Sequence, residues 1–267
     1  MLTFIKLGGS LLTDKRVERS FRRETAQRLA QEIAAALRQD SELRLVIGHG
    51  SGSFGHFVAQ RFRTAEGVRT REEWIAFAEV AAVAAELNAM VSDVLRAAGI
   101  SIWRFQPSAS ARCEDGRLTA LAFEAIQTAI RNQLTPLLYG DVAVDTVRGG
   151  TIISTESILS YLAQRLQPCV DQIILLGEVD GVLDSAGNVT PVITPANFSS
   201  IEPALGGSAG IDVTGGMSAK VRDMLNLVET VPTLTIRIMN GLQAGLLEKT
   251  LLRVSQPGTV ITAKPPG

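Results

Sequence analysis

Both histidines of the chain stand in one short stretch, Gly48-His49-Gly50-Ser51-Gly52-Ser53-Phe54-Gly55-His56, directly after the apolar run 43–47. A strand that empties into a glycine-rich loop lets backbone N–H groups close around an anion. Two imidazoles in the same loop suit it to phosphate or another oxyanion. His56 has small residues and a second histidine around it, which favours a ligand role over capping the helix predicted to begin near Phe57. His49 lies closer to the strand and reads as a structural hydrogen-bonding residue.

The cations are as informative. Of 26 Lys+Arg, five are lysines: Lys6, Lys15, Lys220, Lys249 and Lys264. Lys6 precedes Gly8-Gly9-Ser10, Lys15 follows it, and Lys220 follows Gly215-Gly216. An ammonium is a compact point charge, whereas a guanidinium is a fork, and phosphate loops often use the former. Lys6 lies inside an apolar run, where a buried lysine needs a partner such as a bound polyphosphate. The plainer alternative is a tight turn with Lys6 in solvent. Asp212-Val213-Thr214-Gly215-Gly216-Met217-Ser218-Ala219-Lys220 opens a helix whose unpaired N–H groups favour phosphate, with Lys220 one turn in. Gly177-Glu178-Val179-Asp180-Gly181-Val182 leaves a buried strand in a turn suited to adenine and ribose, or forms an ordinary β-turn.

Residues 50–55 also satisfy G-x-G-x-x-G, but they follow the second strand, and a long helix occupies the place of the acidic residue that a dinucleotide fold requires. No G-x-x-x-x-G-K-[ST] loop exists. Cys113 and Cys169 have no metal or redox spacing and read as thiols in a reducing compartment. A net charge of −1 gives no reason to expect nucleic acid or an anionic membrane as partner. The apolar start is interrupted by Lys6 and Gly8-Gly9, so no signal peptide is expected. Glu79 and Glu86 mark the alanine-rich run 76–89 as a soluble helix and not a membrane span. A cytoplasmic protein is the expectation.

Strand-like and helix-like runs alternate and must carry these loops. Strands are predicted at 2–7, 43–47, 102–105, 135–139, 142–147, 172–176, 234–239 and 259–262. Helices are predicted at 21–37, 71–98, 118–132, 157–166 and 216–229. The alternation predicts a largely parallel sheet with helices on both faces, and ligands beyond the carboxyl ends of its strands. The glycine segments 8–9, 48–55, 140–141 and 177–181 all fall at that end. With 267 residues and no long linker, one domain with two lobes is predicted, meeting near 150–170.

Taken together, Ile5-Lys6-Leu7-Gly8-Gly9-Ser10 with Asp14-Lys15, the 49–56 loop, Tyr139-Gly140-Asp141 with Asp145, Asp180-Gly181-Val182 and the 212–220 stretch resemble the amino acid kinase superfamily. Within it the chain is most similar to the isopentenyl phosphate kinases, chiefly through Gly-Ser-Phe-Gly-His at 52–56. The resemblance implies a three-layer αβα sandwich with a mainly parallel open sheet, forming a homodimer. Lobe 1–165 would take a small-molecule phosphate acceptor, and lobe 166–267 would take ATP with Mg²⁺. The implied reaction converts isopentenyl phosphate and ATP into isopentenyl diphosphate and ADP. By position, Lys6 and Lys15 would contact the transferring phosphoryl group, and Gly8, Gly9, Ser10 and Gly52 would donate N–H groups to it. Ser51 and His56 would hold the acceptor phosphate, with Thr155 beside it. Glu178, Asp180, Gly181, Val182, Gly216 and Lys220 would hold the nucleotide. Trp74, Phe77, Val80 and Ala84 are candidates for the acceptor's apolar tail, or are ordinary core. Where the family shows Ser-Gly-Asp, this chain has Ser154-Thr155-Glu156. The added methylene shifts the carboxylate that orients the lysines by more than roughly one ångström, and Thr155 would crowd the acceptor. Two other readings remain open: a kinase acting on a phosphonate (fosfomycin-type) or a carboxylate, and a nucleotide-binding sensor without turnover.

Overall fold

A computed structural model describes residues 1–205 and 216–264. The apolar runs bounded by glycine become buried strands, because a parallel strand covered on both faces has no polar side. Leu2–Leu7 (β1) leads into the short helix Gly9–Leu12 (α1), then Arg23–Gln39 (α2) and the strand Arg44–His49 (β2). Helices Gly52–Phe62 (α3) and Arg71–Ala97 (α4) follow, then the strands Ile102–Arg104 (β3), Arg112–Glu114 (β4) and Arg117–Ala120 (β5). Next come Glu124–Arg131 (α5), Thr135–Tyr139 (β6), Asp141–Asp145 (β7), Gly149–Ile153 (β8) and Thr155–Ala163 (α6). The remainder is Gln172–Gly177 (β9), Val192–Ile193 (β10), Pro195–Leu205 (α7), Gly216–Thr230 (α8), Thr235–Asn240 (β11), Leu246–Leu251 (α9) and Thr259–Ile261 (β12).

Among the described residues the strands form two sheets. The larger has the order β10-β12-β11-β9-β1-β2-β6-β3 and is parallel except between β11 and β12. The smaller has the order β5-β4-β7-β8. Two apolar cores lie on opposite faces of the large sheet. One holds Phe4, Val46, Ile158, Leu162, Val221 and Leu225, joining α6 and α8 to the sheet. The other holds Ile5, Ile47, Ile33, Phe54, Leu87 and Leu247, joining α2, α3, α4 and α9. This is the three-layer αβα arrangement that the alternation of runs implies.

Helix α4 starts at a reciprocal cap: the Thr70 hydroxyl accepts from the Glu73 amide at 3.2 Å and Glu73 accepts from the Thr70 amide at 2.8 Å. Its 27 residues are long and apolar enough to cross a bilayer. Val80, Val83, Leu87 and Val91 are instead packed into the core.

Several predicted elements are corrected. Residues 118–132 are not one helix, because Asp115 and Gly116 adopt φ of 49° and 80° and close a β4–β5 hairpin before α5 begins. The 142–147 run ends at Asp145, whose carboxylate accepts from the amides of Val147 at 2.9 Å and Arg148 at 2.8 Å and turns the chain into β8. The same carboxylate accepts from Gly116 at 2.7 Å, so one side chain closes both hairpins of the small sheet. Helix α3 starts at Gly52, not near Phe57. Strand β10 and helices α7 and α9 had no clear periodic signal, being short or broken by Pro203.

Candidate active site

Register brings four strand ends to one level. Lys6 pairs with Gly48 on β2 and with Leu175 on β9, and Gly177 pairs with Asn240 on β11. The loops after β1, β2, β9 and β11 therefore leave the sheet side by side. At the glycines they meet through backbone. A Cβ on Gly8 would stand 2.6 Å from the Leu176 carbonyl oxygen, and one on Gly9 would stand 2.8 Å from both N and Cα of Gly52. Glycine is required there by contact and not by composition. Helices α1 and α3 both begin inside this junction, at Gly9 and Gly52. The first amides of a helix have no partner within it, so both starts turn N–H groups outward. Thr13 bolts the two together: its hydroxyl donates to the Gly9 carbonyl at 2.7 Å and accepts from the Ser53 amide at 2.9 Å.

Lys6 enters from β1. Its Nζ donates to Oε1 of Glu156 at 2.6 Å, and Nζ of Lys220 lies 3.8 Å from the same oxygen. Glu156 sits in the first turn of α6, whose N-cap Ser154 accepts from the Ser157 amide at 3.0 Å. Burial opposes charge on this carboxylate, but the ammonium groups of Lys6 and Lys220 outweigh it and hold its pKa below the usual carboxylate value. The extra methylene of glutamate is thus accommodated. Thr155 is accommodated too: it is buried, and its hydroxyl donates to the His49 carbonyl at 2.6 Å. Its methyl group fills the space over Gly48, 2.5 Å from where a Cβ would be. The Thr155 side chain turns into the fold, so the expected crowding of an acceptor does not arise from it.

The two histidines separate cleanly. His49 is fully buried and stacks on Tyr139, with ring centroids 5.8 Å apart and planes at 14°. A carbonyl only accepts, so Nδ1 carries the proton and donates to Gly50 O at 3.0 Å, leaving Nε2 to accept from the Asn88 amide at 3.0 Å. Burial pushes its pKa down to about 4 and the ring is neutral. His56 is exposed on α3. Ser51 joins it in that first turn, its hydroxyl lying 2.6 Å from the point a Gly55 Cβ would occupy.

A family model described as the amino acid kinase family matches residues 1–240. The chain belongs to the amino acid kinase family. It is 32% identical over 274 residues to "Isopentenyl phosphate kinase" of Methanothermobacter thermautotrophicus, covering 98% of this chain and all of that relative. It is 35% identical to the protein of the same name from Methanocaldococcus jannaschii, over 84% of this chain and 86% of the relative. Among solved structures, one titled "X-ray structures of isopentenyl phosphate kinase" superposes with a TM-score of 0.82 at 29% identity, covering 98% of this chain and 100% of the other.

In this amino acid kinase the other predicted site residues are placed as follows. Lys15 stands apart from the Lys6–Glu156–Lys220 group, exposed in the loop after α1. Its neighbour Asp14 is held by both Nε and Nη2 of Arg16, at 3.0 and 2.8 Å. Glu178 pairs with Arg22 at 2.6 Å. Asp180 accepts from the side-chain amides of Asn240 at 2.9 Å and Gln243 at 3.0 Å. Gly181 and Val182 lie against Thr259, whose hydroxyl accepts from the Val182 amide at 2.8 Å. Gly216 opens α8 with φ of 69°; Asp212 to Gly215 lie outside the described residues. Asp141 is buried, and its carboxylate accepts from the amides of Ser108 at 3.0 Å and Val142 at 2.9 Å. Burial raises its pKa in spite of those bonds. Val80 and Ala84 are buried in the core. Trp74 is 39% exposed and meets Phe77 edge-on at 5.0 Å.

Arg22, Asn240, Gln243 and Thr259 surround the 178–182 turn and were not among the predicted residues. Asn240-Gly241 after a strand was a readable turn signal; the others had none. Among the described residues, no group of three His, Cys, Asp or Glu side chains could hold a metal ion.

Proposed function

We propose that this amino acid kinase transfers the γ-phosphoryl group of ATP to isopentenyl phosphate, giving isopentenyl diphosphate and ADP. One observation carries it: two lysines from distant elements share one partly buried carboxylate beside close glycine loop contacts, in a chain similar along its length to proteins of that name. Phosphoryl transfer needs positioning and charge neutralisation more than covalent chemistry. A phosphate monoester has a second pKa near 6 and is mostly a dianion at neutral pH, so it needs no general base. The obstacle is repulsion between two anions.

Each residue has a part in lowering that repulsion. Lys6 and Lys220 meet the transferring group from one side, held at a set separation by Glu156. The amides of Gly9, Ser10 and Gly52 meet it from the other side, while that of Gly8, expected to join them, is spent on the Leu176 carbonyl at 2.9 Å. Lys15 turns in from the loop after α1. Ser51 and His56 hold the acceptor phosphate, and Thr155 supports them from beneath through His49. Glu178, Asp180, Gly181, Val182 and Gly216 hold the nucleotide, with the acceptor in lobe 1–165 and ATP in lobe 166–267. Mg²⁺ fits this donor set as an ion carried on the nucleotide's own phosphates, since the nearby carboxylates are engaged by lysines and amides. Bound there it neutralises phosphate charge. A cytoplasmic homodimer completes the proposal; Trp103, 43% exposed on the edge strand β3, is apolar surface that such a dimer would cover.

The test is ³¹P NMR of the protein with ATP, Mg²⁺ and isopentenyl phosphate. New diphosphate resonances from the prenyl product together with ADP support the assignment. ADP formation only with a phosphonate or carboxylate would reassign the acceptor, and nucleotide binding with no transfer to any acceptor would make the protein a sensor.

A further inference from the structure

Arg237 lies in the middle of β11, inside the large sheet, and is 4% exposed. Among the described residues no carboxylate pairs with it. Its Nη1 donates to the Pro257 carbonyl at 2.6 Å and its Nη2 to Oε1 of Gln256 at 3.4 Å, while Nε has no partner. Burying a guanidinium without a counter-charge is unfavourable, and an apolar side chain would serve the core better. The geometry gives Arg237 another task.

Pro257 begins a short backbone path to the 180–182 turn. Gly258 follows with φ of 75°, and a Cβ there would stand 2.1 Å from the Ile238 carbonyl oxygen and 2.9 Å from that of Asp180. Only glycine can lie between β11 and the turn in that way. Thr259 comes next, fully buried, and its hydroxyl accepts from the Val182 amide at 2.8 Å. It also lies 2.7 Å from where a Gly181 Cβ would be. The loop 256–259 is therefore held by Arg237 on one side and supports the turn on the other.

We infer that Arg237 is a positioning residue for the nucleotide: by gripping the Pro257 carbonyl it sets Gly258 and Thr259 beneath the 180–182 turn. This rests on the proposal that the turn binds ATP. Arg237 itself touches neither substrate.

The experiment is steady-state kinetics of the full chain, with isothermal titration of ATP and thermal melts, on Arg237→Met, Arg237→Lys, Thr259→Val and the Met/Val double variant. Loss of one charge-assisted bond in the support predicts a KM for ATP raised about tenfold in Arg237→Met. Arg237→Lys, whose ammonium still reaches the carbonyl, should be intermediate at about threefold. Values of kcat and of KM for isopentenyl phosphate stay within about twofold. Thr259→Val should match Arg237→Met, and the double variant should be no worse than either, because both act through one support. A purely structural role would lower the melting temperature and leave the KM for ATP at its original value. An unchanged KM for ATP in folded Arg237→Met, with Thr259→Val impaired, overturns the inference and leaves the nucleotide site standing. Unchanged ATP affinity in both variants removes the nucleotide from this turn. Should Arg237→Met not fold, the threefold rise in Arg237→Lys is the deciding value, and its absence overturns the inference.

Discussion

Lys6 and Glu156 meet at 2.6 Å although 150 residues separate them. The contact joins the central strand β1 to the first turn of α6. Lys220 adds a second ammonium to the same oxygen from α8. Two like charges are thereby held beside one shared counter-charge, where side-chain exposure of Lys6 and Glu156 is 14% and 15%.

Removing that carboxylate should therefore harm turnover more than substrate binding. Glu156→Gln leaves two partly buried ammonium groups without their counter-charge, and kcat is expected to fall about 100-fold. Glu156→Asp withdraws the carboxylate by roughly an ångström, for an expected loss of about tenfold. ADP release measured at saturating substrates checks both. A Glu156→Gln enzyme at full kcat would show that the lysines need no such anchor.

His56 faces solvent on α3 and is assigned to the acceptor alone. His56→Ala is expected to lower kcat/KM for isopentenyl phosphate by about 100-fold, since a charge-assisted contact in a closed site is worth roughly 2–4 kcal/mol. The KM for ATP should not change. Full activity in this variant would take His56 out of the site.

Lys15 offers a contrast with Lys6. Because Lys15 is exposed, Lys15→Ala and Lys15→Arg should leave the melting temperature within about 1 °C. Each should still reduce kcat by at least about tenfold, since a fork cannot replace a point charge in a tight loop. Lys6→Ala should lose both activity and stability, because it leaves the partly buried Glu156 carboxylate with only the more distant Lys220 ammonium at 3.8 Å. Wild-type kinetics in both Lys15 variants would exclude that residue from transfer.

His49 makes stability pH-dependent. Its folded pKa of about 4 lies below the ordinary imidazole value of 6.5. Between those values the unfolded chain binds a proton that the folded chain does not, so stability falls as the pH drops from 6.5 to 4 and this contribution is complete above 6.5. The size is roughly 3 kcal/mol. Urea unfolding at stepped pH should show the slope, and the difference between wild type and His49→Asn isolates it from the carboxylates. Equal slopes in the two proteins would mean that His49 is protonated when folded.

The glycine loops were legible because the absence of a Cβ is a local property that permits close backbone approach wherever it occurs. Gly8, Gly9, Gly50 and Gly52 each follow a strand, where a missing Cβ favours close approach of backbone to backbone or to an anion. The Asp115-Gly116 hairpin was equally local and was still overlooked, since the helical spacing after it matched a longer helix. Thr155 illustrates the opposite case. Its effect on an acceptor depended on which way its side chain turned, and that was decided by space over Gly48 and an available carbonyl on His49.

By itself, the order of residues determined the alternation of strand and helix, the glycine contacts and the three lysines worth testing, because each depends on neighbours along the chain. Only the tertiary structure decided that Glu156 would hold Lys6 and Lys220 while Lys15 stood apart, and that His49 would be neutral. Burial and the distance between charges are set by which distant segments pack together, and no local pattern contains that information.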